Sequence, residues 1–346
     1  MGKIKISLLL MCVALYALIQ QATAQQVNYI PFDAAPQVLN PSFSGMFDGS
    51  VRANAVYWNQ WKSVTVPAIT TGLSTDFPIS VNKLHDYIGV GAQAFRSNIG
   101  DGYLTNASAA LSLSFHKTLN GSAPKPFMAK ELAFGVQGGY AQNTTNLSDI
   151  FFNQPGGYMP NILSLGIGST VSNYYLNTGV SYSQSTGKRF NYTIGFSANN
   201  INQPMDAIEK RQNLMLGLGQ NFSGTAGANW SIRKRLTLRP AVYYQVDQAR
   251  DFIIAGNEFM YRVSKKDIAA KATSLFAALW YRTGDVATAT VGVQHKAVKL
   301  GVSCERQMYS LNIAGNGTSA FQLTLKYTAP SLGVKLPKRT VPCSRF

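Results

Sequence analysis

Hydrophobic and polar residues alternate along most of the chain with a period of two. Near the C-terminal end, Phe321, Leu323, Leu325 and Tyr327 are separated from one another by single polar residues. Successive side chains of a β-strand point to opposite faces, so this period predicts strands with one apolar face and one polar face. Helical periodicity is nearly absent, and the pattern therefore predicts an all-β protein.

The alternation divides the chain into a series of candidate strands. Most of them are ~9 to 11 residues long, which is the length of a tilted strand that crosses a bilayer. Fifteen candidates are found, at residues 50–59, 67–77, 86–96, 105–116, 131–142, 163–171, 174–183, 190–199, 212–222, 236–246, 251–261, 273–282, 287–295, 298–307 and 319–328.

The composition of the two faces favours a closed transmembrane antiparallel β-barrel. One face is rich in Leu, Phe and Tyr, and the other carries Gly, Ser, Thr, Asn and Gln. A soluble β-sandwich would also alternate, but with a β-branched core face and units of ~100 residues. Bacterial barrels made of one chain have even strand numbers, so we expect about fourteen strands, with sixteen as the alternative. Aromatic pairs near strand ends resemble the girdles of such barrels, at Tyr57-Trp58, Tyr174-Tyr175, Tyr243-Tyr244 and Trp280-Tyr281.

The N-terminal region has the pattern of a secretory signal peptide. Lys3 and Lys5 precede an apolar run over residues 6–19, and the sequence Ala-Thr-Ala at 22–24 provides a cleavage site. We expect residues 1–24 to be removed. No later segment approaches the ~18 to 20 consecutive apolar residues of a membrane-spanning helix.

The mature chain is strongly basic. Without Lys3 and Lys5, the formal net charge falls from +16 to +14. An exported chain meets little nucleic acid, and its basic residues are spread singly through turns instead of gathered on one helix face. We therefore expect no nucleic-acid partner, and anionic lipid headgroups or an acidic protein partner fit the charge better.

Two cysteines, Cys304 and Cys343, remain after cleavage. An oxidising periplasm permits them to pair, but two incidental thiols are an equal alternative, and geometry decides between the two.

No residue pattern predicts catalysis, so the protein is not expected to be an enzyme. His85, His116 and His295 lie at strand ends and are interpreted as interfacial turn residues, and no serine lies in a G-x-S-x-G elbow. Gly89 and Gly91 lie on alternating strand positions with no helix after them, which excludes a nucleotide fingerprint. Metal-ligand spacing is absent from the sequence, so no metal or cofactor is expected.

The segment before the first strand is expected to be irregular. Pro36 and Pro41 cannot donate a ladder hydrogen bond, and Gly45 relaxes the backbone. This leader, residues 25–48, is expected to lie in the lumen or against the periplasmic rim. Trp58 and Trp61 are expected to end the first strand at the membrane interface.

Three regions of the chain share features with a known protein family. The N-terminal motif positions are Asn40, Pro41, Gly45, Asn59, Gln60 and Trp61, and the likeness extends over residues 275–327 and over the tail Pro342–Phe346. In these regions the chain resembles the PorP/SprF family of outer-membrane proteins of the type IX secretion system of gliding and protein-secreting Bacteroidota.

The resemblance implies an accessory role in type IX secretion or gliding. It implies docking to periplasmic ring and lipoprotein components, and support for the export or surface attachment of secreted cargo or an adhesin. A passive porin or small-molecule transport barrel is the alternative, since a polar lumen serves both roles. The expected organisation is a signal peptide (1–24), a leader (25–48), a barrel in contact with outer-membrane lipids (49–328) and a basic tail (329–346). The predicted partner-docking residues of the tail are Lys335, Lys338, Arg339 and Arg345.

Overall fold

The structure is a computed structural model that describes fourteen strands. It covers residues 35–60, 67–81, 86–99, 104–119, 129–145, 170–187, 189–203, 219–246, 251–264, 272–284, 286–307 and 320–330. The strands are β1 (Val51–Gln60), β2 (Ala68–Ser80), β3 (Tyr87–Ile99), β4 (Leu104–Thr118), β5 (Lys130–Thr145), β6 (Thr170–Thr186), β7 (Phe190–Asn199), β8 (Asn221–Arg233), β9 (Leu236–Val246), β10 (Asp251–Arg262), β11 (Thr273–Arg282), β12 (Val286–His295), β13 (Val298–Gln307) and β14 (Ala320–Ala329).

The strands close into one antiparallel barrel. Each strand pairs with its neighbours in sequence, and β1 pairs with β14 to complete the ring. In that closing pair, Val51 lies opposite Ala329 and Gln60 lies opposite Ala320. Closure leaves no strand edge unpaired, which a hydrocarbon environment requires because it offers no water to the backbone. The predicted fold class and the strand count of about fourteen are confirmed.

The two faces of the wall follow the alternation of the sequence. On β4, Leu111 and Leu113 point outward and are 71% and 52% exposed, whereas Ser112, Ser114 and His116 point into the lumen and are at most 3% exposed. The apolar face is thus the outer surface, and the polar face is turned toward the interior. This is the inversion that distinguishes a membrane barrel from a soluble sandwich.

Two of the predicted strands were placed wrongly. The separate candidates 163–171 and 174–183 correspond to the single strand β6, of 17 residues, and 163–169 lie outside the described residues. For the candidate 212–222, residues 212–218 also lie outside them, and the strand in this region is β8, which begins at Asn221. The alternation of β8 is weak because Gly224, Ala226 and Ala228 occupy much of its outer face. Small residues on that face differ little in hydrophobicity from the lumenal Ser and Thr, so the alternation is hard to see in the sequence.

The interpretation of the aromatic pairs was half right. Adjacent residues on a strand point to opposite faces, so one member of each pair must be lumenal. Tyr244 is outward and 40% exposed, whereas Tyr243 faces the lumen and is 7% exposed. Trp58 is also lumenal, at 3% exposed, so its predicted place at the membrane interface was wrong. Trp61 lies outside the described residues.

The barrel has two distinguishable ends. The end at which β1 begins and β14 ends is called the terminal end, and the other is called the loop end. The short turns that join β6 to β7, β8 to β9 and β12 to β13 lie at the terminal end, whereas the strand ends that flank the two longest gaps between strands, β5 to β6 and β7 to β8, lie at the loop end. Within the described part of the chain, no helix is both long and apolar enough to cross a membrane.

Cys304 is exposed on β13, at a position that points outward. Cys343 lies outside the described residues, so pairing of Cys304 with Cys343 and two free thiols both remain predictions.

Candidate functional site: a lumenal plug

The segment Ala35–Phe47, called the plug, lies inside the barrel before β1. It contains a short helix, α1 (Pro36–Leu39), followed by a 3-10 helix (Pro41–Phe43). A proline stands at the first position of each, where its fixed φ favours the turn and its missing N–H is not needed. Almost every plug residue is buried. The described part of the predicted leader therefore occupies the lumen.

Asn40 links the plug to the backbone of two neighbouring strands. Its Nδ2 donates to the carbonyl oxygens of Val180 at 3.2 Å on β6 and Phe196 at 3.0 Å on β7. Its Oδ1 accepts from the backbone N–H of Ser42 at 2.9 Å and from the Ser42 hydroxyl at 2.7 Å. All four hydrogen-bonding positions of the amide are used, so the side chain is held in one orientation.

A buried ion pair holds the end of the plug. Arg52 on β1 donates to Asp76 on β2 through Nε at 2.9 Å and Nη2 at 2.7 Å, and both side chains are essentially inaccessible to solvent. The same guanidinium donates to the carbonyl oxygen of Phe43 at 3.1 Å, and Asp76 accepts from the N–H of Gly45 at 2.7 Å. Gly45 adopts a φ of 69°, a left-handed conformation that favours glycine. The pair therefore clamps the turn that leaves the 3-10 helix.

His116 on β4 contacts the same turn. Its Nε2 lies 2.9 Å from the carbonyl oxygen of Ser44, and its Nδ1 lies 2.8 Å from Oε1 of Glu131. Tyr87 stacks on the imidazole with ring centroids 4.1 Å apart and donates to Glu131 at 2.8 Å. His116 is fully buried, so its interpretation as an interfacial turn residue was wrong. His85 lies outside the described residues, and His295 is exposed at the end of β12.

The first turn of the plug is hydrogen-bonded to the strands around it. Gln37 donates through Nε2 to the carbonyl oxygens of Thr75 at 3.3 Å and Ala92 at 3.2 Å. Gln137 on β5 donates to the carbonyl oxygen of Gln37 at 3.3 Å, and Ser197 on β7 donates to that of Leu39 at 3.0 Å. Together with Asn40, Arg52 and His116, these contacts connect the plug to strands β1 to β7.

Glycines on the lumenal face allow this close approach. A Cβ added at Gly135 on β5 would overlap the backbone of Pro41, and one added at Gly179 on β6 would overlap Oδ1 of Asn40. The same is true of Gly89 and Gly91 on β3, which meet Ser44 and Gln37. These residues, called the glycine floor, explain why glycine recurs at alternating strand positions. Their spacing was the signal in the sequence for a backbone packed against the wall.

The other side of the plug is apolar. Leu39, Phe43 and Met46 pack against lumenal side chains of β1, β9, β10 and β14, with two partly buried aromatic residues of β10 and β11 beside them. The wall residues of this cluster are Trp58, Ala241, Tyr243, Ile254 and Ala320, flanked by Phe252 and Trp280.

Further ion pairs line the lumen away from the plug. Glu258 on β10 accepts from Lys299 at 2.8 Å and from Arg239 at 3.2 Å. A further pair lies outside the lumen, where Lys117 on the outer face of β4, 45% exposed, lies 2.6 Å from Asp86 at the terminal end. Sequence reasoning missed this set, as it missed Arg52, Asp76 and Glu131, although charged residues on the polar face of a strand were its visible signal. Among the described residues, no group of three His, Cys, Asp or Glu side chains is arranged to hold a metal ion.

The structure brings together only part of the predicted motif. Asn40, Pro41 and Gly45 lie in the plug, whereas Gln60 faces the lumen at the loop end of β1 and Asn59 is half-buried beside it. The predicted docking residues Lys335, Lys338, Arg339 and Arg345 lie outside the described residues. Their role stays a prediction.

The family model described as type IX secretion system membrane protein PorP/SprF matches residues 21–327. The protein belongs to the PorP/SprF family. Its family and its closed fourteen-strand barrel place it in the outer membrane, as a structural or transport component. Membership in a secretion-system family also implies interaction with components of that system.

Solved structures with a similar fold are outer-membrane barrels of low sequence identity. The Ralstonia pickettii toluene transporter TbuX has a TM-score of 0.48 and 11% identity, covering 84% of this chain and 92% of that chain. A Pseudomonas aeruginosa FadL homologue has a TM-score of 0.43 and 12% identity, with the same coverages of 84% and 92%. At this identity the similarity concerns the barrel architecture alone. No curated protein matches the chain.

Proposed function

We propose that this PorP/SprF barrel is a plugged docking component of the type IX secretion machinery and carries out no catalytic turnover. It binds periplasmic ring and lipoprotein components, and it supports the export or surface attachment of secreted cargo. The observation that carries the proposal is the plug, which occupies the lumen with hydrogen bonds to one side of the wall and apolar contacts to the other. A pore needs a lumen that solutes can enter, whereas a docking barrel does not.

The plug is built into the barrel as tightly as a protein core. Asn40 of the plug donates to two strands of the wall, and Arg52 of the wall donates to the plug. At the glycine floor, the wall has no side chain where the plug approaches. Polar groups buried with complete hydrogen bonding resist displacement, because any small shift leaves buried donors and acceptors without partners. This supports a plug that stays in place in the resting protein.

Turn lengths support an orientation for docking. Outer-membrane barrels have short periplasmic turns and longer extracellular loops. The short turns 187–189, 234–235 and 296–297 lie at the terminal end, so this end is proposed to face the periplasm. Both the plug and the tail that follows β14 then belong to the periplasmic side, where ring components are expected.

Conductance in planar bilayers tests the plugged state. The wild-type protein should carry little steady current. A variant in which residues 35–47 are replaced by a Gly/Ser linker of equal length should conduct, because the linker lacks the contacts of Asn40 and Gln37. A large steady current through the wild-type protein would favour the passive-pore alternative.

Capture of partners tests the docking role of the tail. Deletion should begin at residue 331, because β14 extends to Ala329 and Ser50 is hydrogen-bonded to Ala329 and Pro330. Removing residues 331–346 should reduce co-purification of periplasmic components from solubilised envelope while leaving the barrel folded. A variant with Lys335, Lys338, Arg339 and Arg345 replaced by Gln separates charge from chain length. Unchanged co-purification in both variants would contradict a docking role for the tail.

A further inference from the structure

Basic side chains are concentrated in the turns of one half of the terminal end. Arg189 lies in the turn after β6, Lys234 and Arg235 form the turn after β8, and Lys296 lies in the turn after β12. Together with Arg233 at the end of β8, these residues are called the basic rim. All five are exposed.

Two turns of the basic rim are joined through the backbone. Ser231 donates its N–H to the carbonyl oxygen of Arg189 at 2.8 Å, and Arg262 donates to that of Arg235 at 2.8 Å. The β6–β7 turn, the β8–β9 turn and the end of β10 therefore lie side by side. Arg189, Arg233, Lys234 and Arg235 thus lie on adjacent turns, and Lys296 lies on a separate turn farther along the ring.

The charge of this patch is not neutralised by the described part of the protein. Within the ranges that the structure describes, no ion pair involves the five residues of the basic rim. The carboxylates Asp76, Glu131 and Glu258 also lie toward this end, but they point into the lumen and are bound to lumenal partners. The exposed Asp48 precedes β1, on the part of the ring away from β6 to β10. At the loop end, by contrast, the exposed described charges are of both signs and lie on separate strands, with Arg96 on β3, Asp251 on β10 and Arg306 on β13.

Outward apolar side chains lie directly beside the basic rim. Trp230 is 50% exposed, Tyr261 is 48% exposed, and Phe190, which follows Arg189, is 37% exposed. Aromatic residues in this position mark the boundary between hydrocarbon and headgroups. Arg189 precedes Phe190 by one residue, and Arg233, Lys234 and Arg235 follow Trp230 by three to five residues, so these basic side chains lie nearer the end of the barrel than the aromatic ones.

We propose that the basic rim binds the phosphate headgroups of anionic lipids in the membrane leaflet at the terminal end. Lys and Arg side chains next to an apolar surface extend along it and place their charge among the headgroups. The patch is continuous with the apolar band, which favours lipid over an acidic protein. A protein partner would instead approach along the barrel axis.

The test measures the preference of the full-length protein for spin-labelled phosphatidylglycerol over phosphatidylcholine in reconstituted membranes. Each cation near an anionic surface contributes about a fivefold preference when it is in full contact. The variant Lys234→Gln/Arg235→Gln should lower the preference by roughly fivefold or more. The matched variant Arg96→Gln/Arg306→Gln, which removes two isolated exposed charges at the loop end, should change it by less than about twofold.

Two results would overturn the proposal. An equal loss of the preference for phosphatidylglycerol in both variants would show that the preference depends only on the net charge of the protein. The variant Lys234→Gln/Arg235→Gln could instead keep the wild-type preference for phosphatidylglycerol but lose the binding of polyglutamate that the wild-type protein shows in zwitterionic membranes. That result would show that the basic rim binds an acidic polypeptide and not lipid. Heat-dependent mobility on gels confirms in each case that the barrel is folded.

Discussion

The two sides of the plug are held by different interactions. Toward β2–β7 the plug meets amides, hydroxyls and carbonyl groups at hydrogen-bonding distance over a floor of glycine. Toward β9, β10 and β14 it meets aromatic and aliphatic side chains. Hydrogen bonds are directional and costly to leave unmade, whereas apolar contacts tolerate small shifts. The polar side should therefore fix the position of the plug, and the apolar side should add affinity without much positional preference.

The largest effect is expected at the buried ion pair. Arg52→Met leaves the Asp76 carboxylate buried without its partner, which should destabilise plug seating by about 3 to 5 kcal/mol. The measurement is hydrogen exchange of the amides of residues 42–46 in the reconstituted barrel, which reports local opening. The double variant Arg52→Met/Asp76→Leu should recover part of the loss because no isolated charge remains. A double variant as destabilised as the single one would show that the unpaired charge is not the cause.

Asn40→Asp should have the next largest effect. It replaces the donor Nδ2 with an oxygen facing the carbonyl groups of Val180 and Phe196, at a cost of about 3 kcal/mol for two lost hydrogen bonds and their repulsion. The same exchange experiment measures it. Asn106→Asp, at an exposed position of β4, is the control and should leave exchange in the plug unchanged. Similar exchange in both variants would contradict the role assigned to Asn40.

Gly135→Ala tests the glycine floor. The new methyl group overlaps the backbone of Pro41, and such overpacking should cost about 1 to 3 kcal/mol. Gly138 on the same strand has no atom within 4 Å of its added Cβ, so Gly138→Ala should be nearly neutral. Conductance is a second readout, since partial release of the plug should increase the current of Gly135→Ala alone. Equal behaviour of the two variants would mean that the floor is not a steric requirement.

The smallest effect is expected on the apolar side. Ile254→Val removes one methylene from a residue that is 4% exposed against the plug and should cost about 0.5 to 1.5 kcal/mol. Its neighbour Ile253 points outward and is 41% exposed, so Ile253→Val should change plug exchange little. If Ile254→Val opened the plug as much as Asn40→Asp, the polar side would not be what fixes the position of the plug.

The barrel was largely predictable from the sequence because its main signal is local. Leu111, Leu113 and Phe115 reveal their common face by spacing alone, whatever the rest of the chain does. Where that contrast fades, as around Gly224 and Ala226 of β8, the strand was missed. The error followed from small residues on the outer face, not from an unusual backbone.

The interior of the barrel was not predictable in the same way. Ser197 donates a hydrogen bond to the carbonyl oxygen of Leu39, 158 positions away in the sequence, and no local pattern connects the two residues. His116 resembled a turn residue because it is near the end of its strand, and only closure of the ring shows that it faces Ser44 and Glu131. Trp58 was misplaced for the same reason. The position of Trp58 in β1 decides that its side chain faces the lumen, and the plug provides the residues against which it packs.

The plug is joined to the wall by only residues 48–50 before β1 begins at Val51. A linker this short keeps a released plug at an effective concentration of the order of millimolar or higher beside its seat. Rebinding is therefore fast, and brief thermal release would not keep the channel clear. Anything that opens this barrel for longer must capture the freed segment and retain it, so an opening factor would have to be a binding protein for residues 35–47.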